Sequence, residues 1–173
     1  MKKQMQMSFT TLLLLLALAP GQTRASPITN CTMPADRGIG AVYEELSKRA
    51  VEIVTRAAAD SWKSDPKLLA LVSSEAEFGL GAGDVGRPMG NGLTGARALA
   101  NAMKADSYRY FTWSSIPSQI NPCDEWSVKV EFIDSRSRNL ADMKFTFSNG
   151  TLTSAMGWVR WYAGGELKRA KNN

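Results

Sequence analysis

Near Ser107 the apolar residues of this chain change their spacing, and that change limits what it can fold into. Before it, Val42, Leu46, Ala50, Ile53 and Ala57 step by three and four residues and fall on one face of a helix. After it, Trp126, Val128, Val130 and Phe132 alternate with Ser127, Lys129 and Glu131, as a half-buried strand requires. Met143, Phe145 and Phe147 alternate with Asp142, Lys144 and Thr146 in the same way. Helices first and strands afterwards argue for an α+β domain with an antiparallel sheet, not for βαβ units around a parallel one.

The first helix is predicted from Gly40 to Trp62. Its second face carries Glu44/Lys48, Glu45/Arg49 and Glu52/Arg56, acid four residues before base, each pair worth about 0.2–0.5 kcal/mol. A solvated face explains them more simply than a docking surface does. Asp65-Pro66 reads as an N-cap followed by proline at the first helical position, opening a short helix to Val72. A short strand is expected over Ser74 to Leu80, and a third helix over Thr94 to Lys104 with Ala96, Leu99, Ala100 and Met103 buried. Tyr108 to Trp113 is strand-like. Asn149-Gly150 is a type I′ hairpin signal, because both central residues of that turn need positive φ. A two-residue turn there sets Phe147 opposite Leu152, Phe145 opposite Ser154 and Met143 opposite Met156, and Gly157 is the expected site of a bulge.

Residues 1–25 read as a cleaved signal peptide: Lys2-Lys3, then a short apolar run with five leucines from Leu12 to Leu16, then Pro20-Gly21 and a small residue, Ala25, before Ser26. The run is too short for a stable membrane anchor, which needs about 20 apolar residues. A periplasmic or secreted location follows, with residues 26–173 as one α+β domain folded over roughly 31–165. Lys2, Lys3 and Arg24 leave with the signal, so 21 basic residues become 18 against 16 acids, a net charge of +2. No basic stripe remains on a folded face, so no nucleic-acid partner is expected. In an oxidising compartment Cys31 and Cys123, the two cysteines, form one disulfide most simply, with two free thiols as the alternative. The bridge would close a loop of about 92 residues, worth roughly 4–5 kcal/mol in the chain-entropy model.

The order of these elements, together with Glu131-Phe132-Ile133-Asp134, the run from Met143 to Leu152, and Gly92 to Met103 as the third helix, resembles the nuclear transport factor 2-like superfamily, the cystatin-like α+β cone. The resemblance implies three N-terminal helices packed on a curved antiparallel sheet that leaves a conical pocket. That pocket serves isomerase-like and dehydratase-like enzymes and many non-catalytic binders, and sheet-to-sheet homodimers are common in the superfamily.

Chemistry is narrowed mostly by what is missing. With no histidine there is no Ser-His-Asp or Cys-His arrangement, no histidine metal ligand and no histidine-dependent dehydratase chemistry. Neither a metal nor a cofactor is expected. Seven of the 14 glycines lie between Gly79 and Gly95, and Gly81 to Gly86 matches G-x-G-x-x-G. Arg87-Pro88 follows where a dinucleotide site would open a helix, so a turned loop is the better reading. The candidate pocket residues are Asp84 and Arg87 from this loop and Tyr110, Trp113, Trp126 and Trp158 from the aromatic-rich second half. Glu75, Glu77, Asp84 and Asp106 are the candidate acids, with nothing in their spacing to pair them. The expected function is an exported, non-catalytic domain binding a small molecule or an envelope protein through the concave face. A carboxylate-based isomerase or lyase, and a protein–protein module or inhibitor, are the alternatives.

Overall fold

The computed structural model describes residues 31, 38–111, 121 and 123–162. The expected signal, Trp113 and the basic tail lie outside them. Helix α1 spans Gly38–Ala58, a 3-10 turn spans Trp62–Ser64, and α2 spans Pro66–Leu71. Strands β1 (Val72–Ala82) and β2 (Pro88–Asn91) precede α3 (Gly92–Met103). Strands β3 (Ser107–Tyr110), β4 (Trp126–Asp134), β5 (Asn139–Ser148) and β6 (Thr151–Trp161) follow.

The α1 stripe behaves as its spacing predicts. Val42, Leu46, Ala50, Ile53 and Ala57 are all buried, and the three acid–base pairs of the second face form. Arg49 departs from expectation. It is buried, and its guanidinium also donates to the Gly150 carbonyl at 3.1 Å, tying α1 to the β5–β6 turn. Asp65 caps α2 by accepting from the Lys67 and Leu68 N–H groups.

The strands form one curved, open sheet in the order β2-β1-β6-β5-β4-β3. The expectation of a wholly antiparallel sheet needs correcting: β1 runs parallel to β6, so the sheet is mixed. The expected short strand is an 11-residue one that turns back as β2. The chain then passes through α3, β3, β4 and β5 before β6 arrives beside β1, which frees the two strands to run the same way.

Asn149 and Gly150 take φ of 51° and 73°, as a type I′ turn demands. Phe147 faces Leu152 as expected, but one residue further the register slips. Thr146 pairs with Ser154, leaving Thr153 as the extra residue of a bulge whose hydroxyl bonds the Thr146 carbonyl at 3.0 Å. Phe145 therefore faces Ala155, not Ser154, and Met143 faces Gly157, not Met156. Gly157 carries no bulge; it is pressed against Asp142 and Met143, where a Cβ would collide. Such bulges add twist and bend a sheet.

The concave face packs on the helices. Phe78, Val128, Val130, Phe132, Met143, Phe145, Phe147, Leu152 and Ala155 meet the buried sides of α1 and α3 there. Phe132 and Phe145 lie 5.9 Å apart in a tilted pair. These side chains fill the centre of the cone. Cys31 and Cys123 form the disulfide, and the Cys123 carbonyl accepts from the Asn149 N–H at 3.0 Å, so the bridge is fastened to the β5–β6 turn.

Candidate ligand-binding site

With its centre filled, the concave side stays open along one margin, between α1 and the edge strand β3. Tyr108 and Tyr110 sit two residues apart, so their rings leave β3 on one face, beside Phe132 and Val130 of β4. The rings are stacked, with centroids 6.3 Å apart and planes 3° from parallel. Beyond Tyr110 the ladder stops, and the Lys129 N–H is taken by the Tyr43 hydroxyl of α1 at 3.1 Å. Thus α1 completes the sheet edge on which the two rings stand.

Two adjoining cavities follow this margin and share Thr55 and Tyr108 as lining. One, of about 390 Å³, runs between Tyr110 and the Lys48–Arg56 side of α1. The other, of about 580 Å³, reaches Phe132, Asn101, Lys104 and Asp106 at the end of α3. Together they make a trench with Tyr108, Tyr110 and Phe132 along the sheet and a mixed lining of small apolar and polar residues, Lys48, Glu52, Arg56, Lys104 and Asp106 among them.

Those polar groups differ in how far they are already engaged. Asp106 accepts from the Ser135 hydroxyl, the Ser107 hydroxyl and the Ser135 N–H, and the Ser135 hydroxyl above all holds its carboxyl below the usual range. Partial burial pushes Glu52 up, but hydrogen bonds from Lys67 and Arg56 outweigh it and leave this carboxyl lowered. Lys48 is paired with Glu44. Burial raises the Tyr110 hydroxyl above its ordinary value. Lys104 makes no ion pair among the described residues. It caps α3 in the left-handed region, at φ 48° and ψ 34°, a conformation that helix ends usually give to glycine or asparagine.

The candidate residues named from sequence scatter over the molecule. Tyr110 lines the trench. Trp126, half-buried at the start of β4, donates its indole N–H to the Asn121 carbonyl and lines no cavity of the trench. Trp113 lies outside the described residues. Arg87 and Trp158 line a separate groove, on the outer face of the sheet, because Trp158 stands opposite Asp142, whose side of β5 points away from Met143 and Phe145. Asp84 is exposed at the tip of the β1–β2 hairpin and lines neither region. The glycine run is that hairpin: Ala82 and Val85 exchange N–H···O bonds around Gly83-Asp84, with Gly83 at φ 58°. It opens no helix, so it cradles no pyrophosphate. Among the described residues no group of three or more His, Cys, Asp or Glu is placed to hold a metal ion.

Lys104 was not among the sequence candidates. Only the helix end betrays it, a lysine standing where the turn geometry asks for glycine.

No family model matches this chain, and no curated protein matches it. Solved structures are similar to it in fold. One is a de novo designed NTF2 fold protein, NT-9, at 15% identity and a TM-score of 0.40, covering 68% of this chain and 86% of that one. A protein of unknown function with a cystatin-like fold from Methylobium petroleophilum PM1 is 12% identical at a TM-score of 0.40, over 77% of this chain and 85% of that one. A ketosteroid isomerase candidate from Kribbella flavida is 9% identical at a TM-score of 0.41, over 71% and 83%. The likeness to NTF2-like and cystatin-like proteins is a weak one, of fold only, and what the trench does rests on the residues of this chain.

Proposed function

We propose that this protein is an exported, non-catalytic binding domain that holds a ring-bearing organic anion in the trench between α1 and β3. The observation that carries the reading is the stacked Tyr108–Tyr110 pair, whose Tyr108 lines both cavities, Tyr110 standing in the smaller and Lys104 at the far end of the larger. Flat tyrosine rings offer area and dispersion contact to another ring at small entropic loss. An ammonium at one end supplies a counter-charge, and its left-handed backbone is an expense that a structural residue would not need.

Acid/base catalysis is the weaker reading. A carboxylate that takes a proton from a substrate needs free lone pairs and an affinity for protons suited to the task. The carboxylates that the structure displaces from their ordinary range, Glu52, Asp65, Asp106 and Asp134, are all displaced downward by donors already bonded to them. In the trench this holds for both Glu52 and Asp106.

Native mass spectrometry of the protein purified from its own envelope fraction tests the reading. The expected spectrum carries an adduct of small-molecule mass that is lost on Tyr110→Ala. A bare chain from that source, or an adduct that persists in the variant, would contradict it.

A further inference from the structure

The outer face of the sheet holds a second arrangement that the trench does not explain. Gly79 and Gly81 of β1 stand directly beside Met156 and Trp158 of β6. A Cβ on Gly79 would come within 2.6 Å of the Met156 sulfur, and one on Gly81 closer still to the Trp158 ring. The two glycines therefore let both side chains lie down over β1. Even so, Met156 is 40% and Trp158 48% exposed. A groove of about 450 Å³ runs beside them, bordered by Glu77, Arg87 and Asn91. Neighbouring large apolar side chains left in water over a shaped groove mark an interaction surface.

Charge gives the occupant its second property. Lys144 stands opposite Met156, and Lys129 stands opposite Lys144. Both lysines are exposed, and neither forms an ion pair among the described residues. Like charges directly opposite on a sheet repel, so this pair is a liability unless an anion lies between them. Three acids share the face, Glu77 at the border of the groove among them. Glu131 is held between Arg109 and Arg160, and Asp142 stands beside Trp158. Against Lys129, Lys144, Arg109 and Arg160 they leave the surface positive.

Backbone bonding decides between an acyl chain and a peptide. Strand β1 is paired on one side with β2 and on the other with β6, and β6 with both β1 and β5. A peptide lying over β1 and β6 would bury polar backbone groups against strands already paired on both sides, and the free edge of β2 is four residues long and starts with Pro88, which has no N–H to give. A hydrocarbon chain asks for no hydrogen bonds. We infer that this groove binds a free single-chain anionic amphiphile, its acyl chain along Met156, Trp158, Gly79 and Gly81 and its acid group between Lys144 and Lys129.

Calorimetric titration of the full chain with laurate, kept below its micelle concentration, tests this. Tryptophan emission gives a second readout, in parallel with Trp158→Phe. The expected result is saturable one-to-one binding, an emission change absent from Trp158→Phe, and affinity falling about tenfold in Lys129→Gln/Lys144→Gln, as the loss of two charged contacts implies. Gly81→Ala, which lifts the Trp158 ring, should weaken binding as well. If that variant fails to fold, the surface lysine pair still decides. Equal affinity for lauryltrimethylammonium, unchanged affinity in the lysine variant, absence of saturation, or binding only to anionic phospholipid vesicles would each overturn the inference. None of these outcomes depends on the trench, since Tyr110→Ala should leave laurate binding unchanged.

Discussion

At the scale of single residues, two cations are placed where simple pattern reading would not put them. Arg49 has the i,i+4 spacing of a surface pair with Glu45, and it makes that pair. It is nevertheless buried, because the β5–β6 turn folds over it and offers the Gly150 carbonyl. Replacing it with alanine removes a charged donor and leaves that carbonyl unsatisfied. Arg49→Ala should lose about 1.5–3 kcal/mol in urea unfolding. Lys104 presents the opposite case. Its left-handed backbone is disfavoured for any residue with a Cβ, so Lys104→Gly should gain about 1 kcal/mol, read from the urea midpoint. The same variant should weaken retention of the trench ligand, since the ammonium is lost. A variant that is more stable and binds less well separates a binding role from a structural one.

At the scale of elements, hairpin register and the disulfide do the arranging. The Asn149-Gly150 turn and the first pair, Phe147 with Leu152, follow from local residues. The bulge at Thr153 does not, because nothing in its own residue type requires one. Its effect is large: it turns Ala155 and Gly157 towards the core and Met156 and Trp158 away from it. A one-residue slip exchanges the faces of every later side chain. The disulfide joins Cys31, before α1, to Cys123, which in turn bonds the β5–β6 turn. The double variant Cys31→Ser/Cys123→Ser should lose about 2–5 kcal/mol in thermal or urea unfolding. Dithiothreitol should destabilise the parent chain and leave this variant unaffected.

For the whole molecule, dependence on pH below about 8 should fall on the acid side. Glu52, Asp65, Asp106 and Asp134 have their carboxyls held below the values they take in an unfolded chain. In acid the unfolded chain therefore binds more protons, and the folded state is weakened. The stability these groups contribute is present in full above about pH 4, the ordinary carboxylate range, and is lost as pH falls through their lowered values. The chain has no histidine, so no side chain with an ordinary pKa between about 5 and 8 adds a step there. Urea midpoints should be level from about pH 8 to 5 and drop steeply towards pH 2. Much of this molecule was legible in its residues: the α1 stripe, the Asp65 cap, the buried side of α3, the β4 and β5 alternation and the cysteine pair. Periodicity and turn chemistry are local, and they say which side of an element is apolar. They do not say which strands meet. Sequence therefore settled the α+β class and Phe145, Phe147 and Leu152 as core, and it supplied Tyr110 and Trp158 as candidates without saying that they stand on opposite faces of the sheet. Tertiary structure alone decided that β1 lies parallel to β6, that a bulge sends Trp158 outward over Gly81, and that Lys104 meets the trench of Tyr108 and Tyr110. Each of these depends on contacts between residues far apart in the chain, where packing and backbone pairing choose among registers that local preference leaves nearly equal.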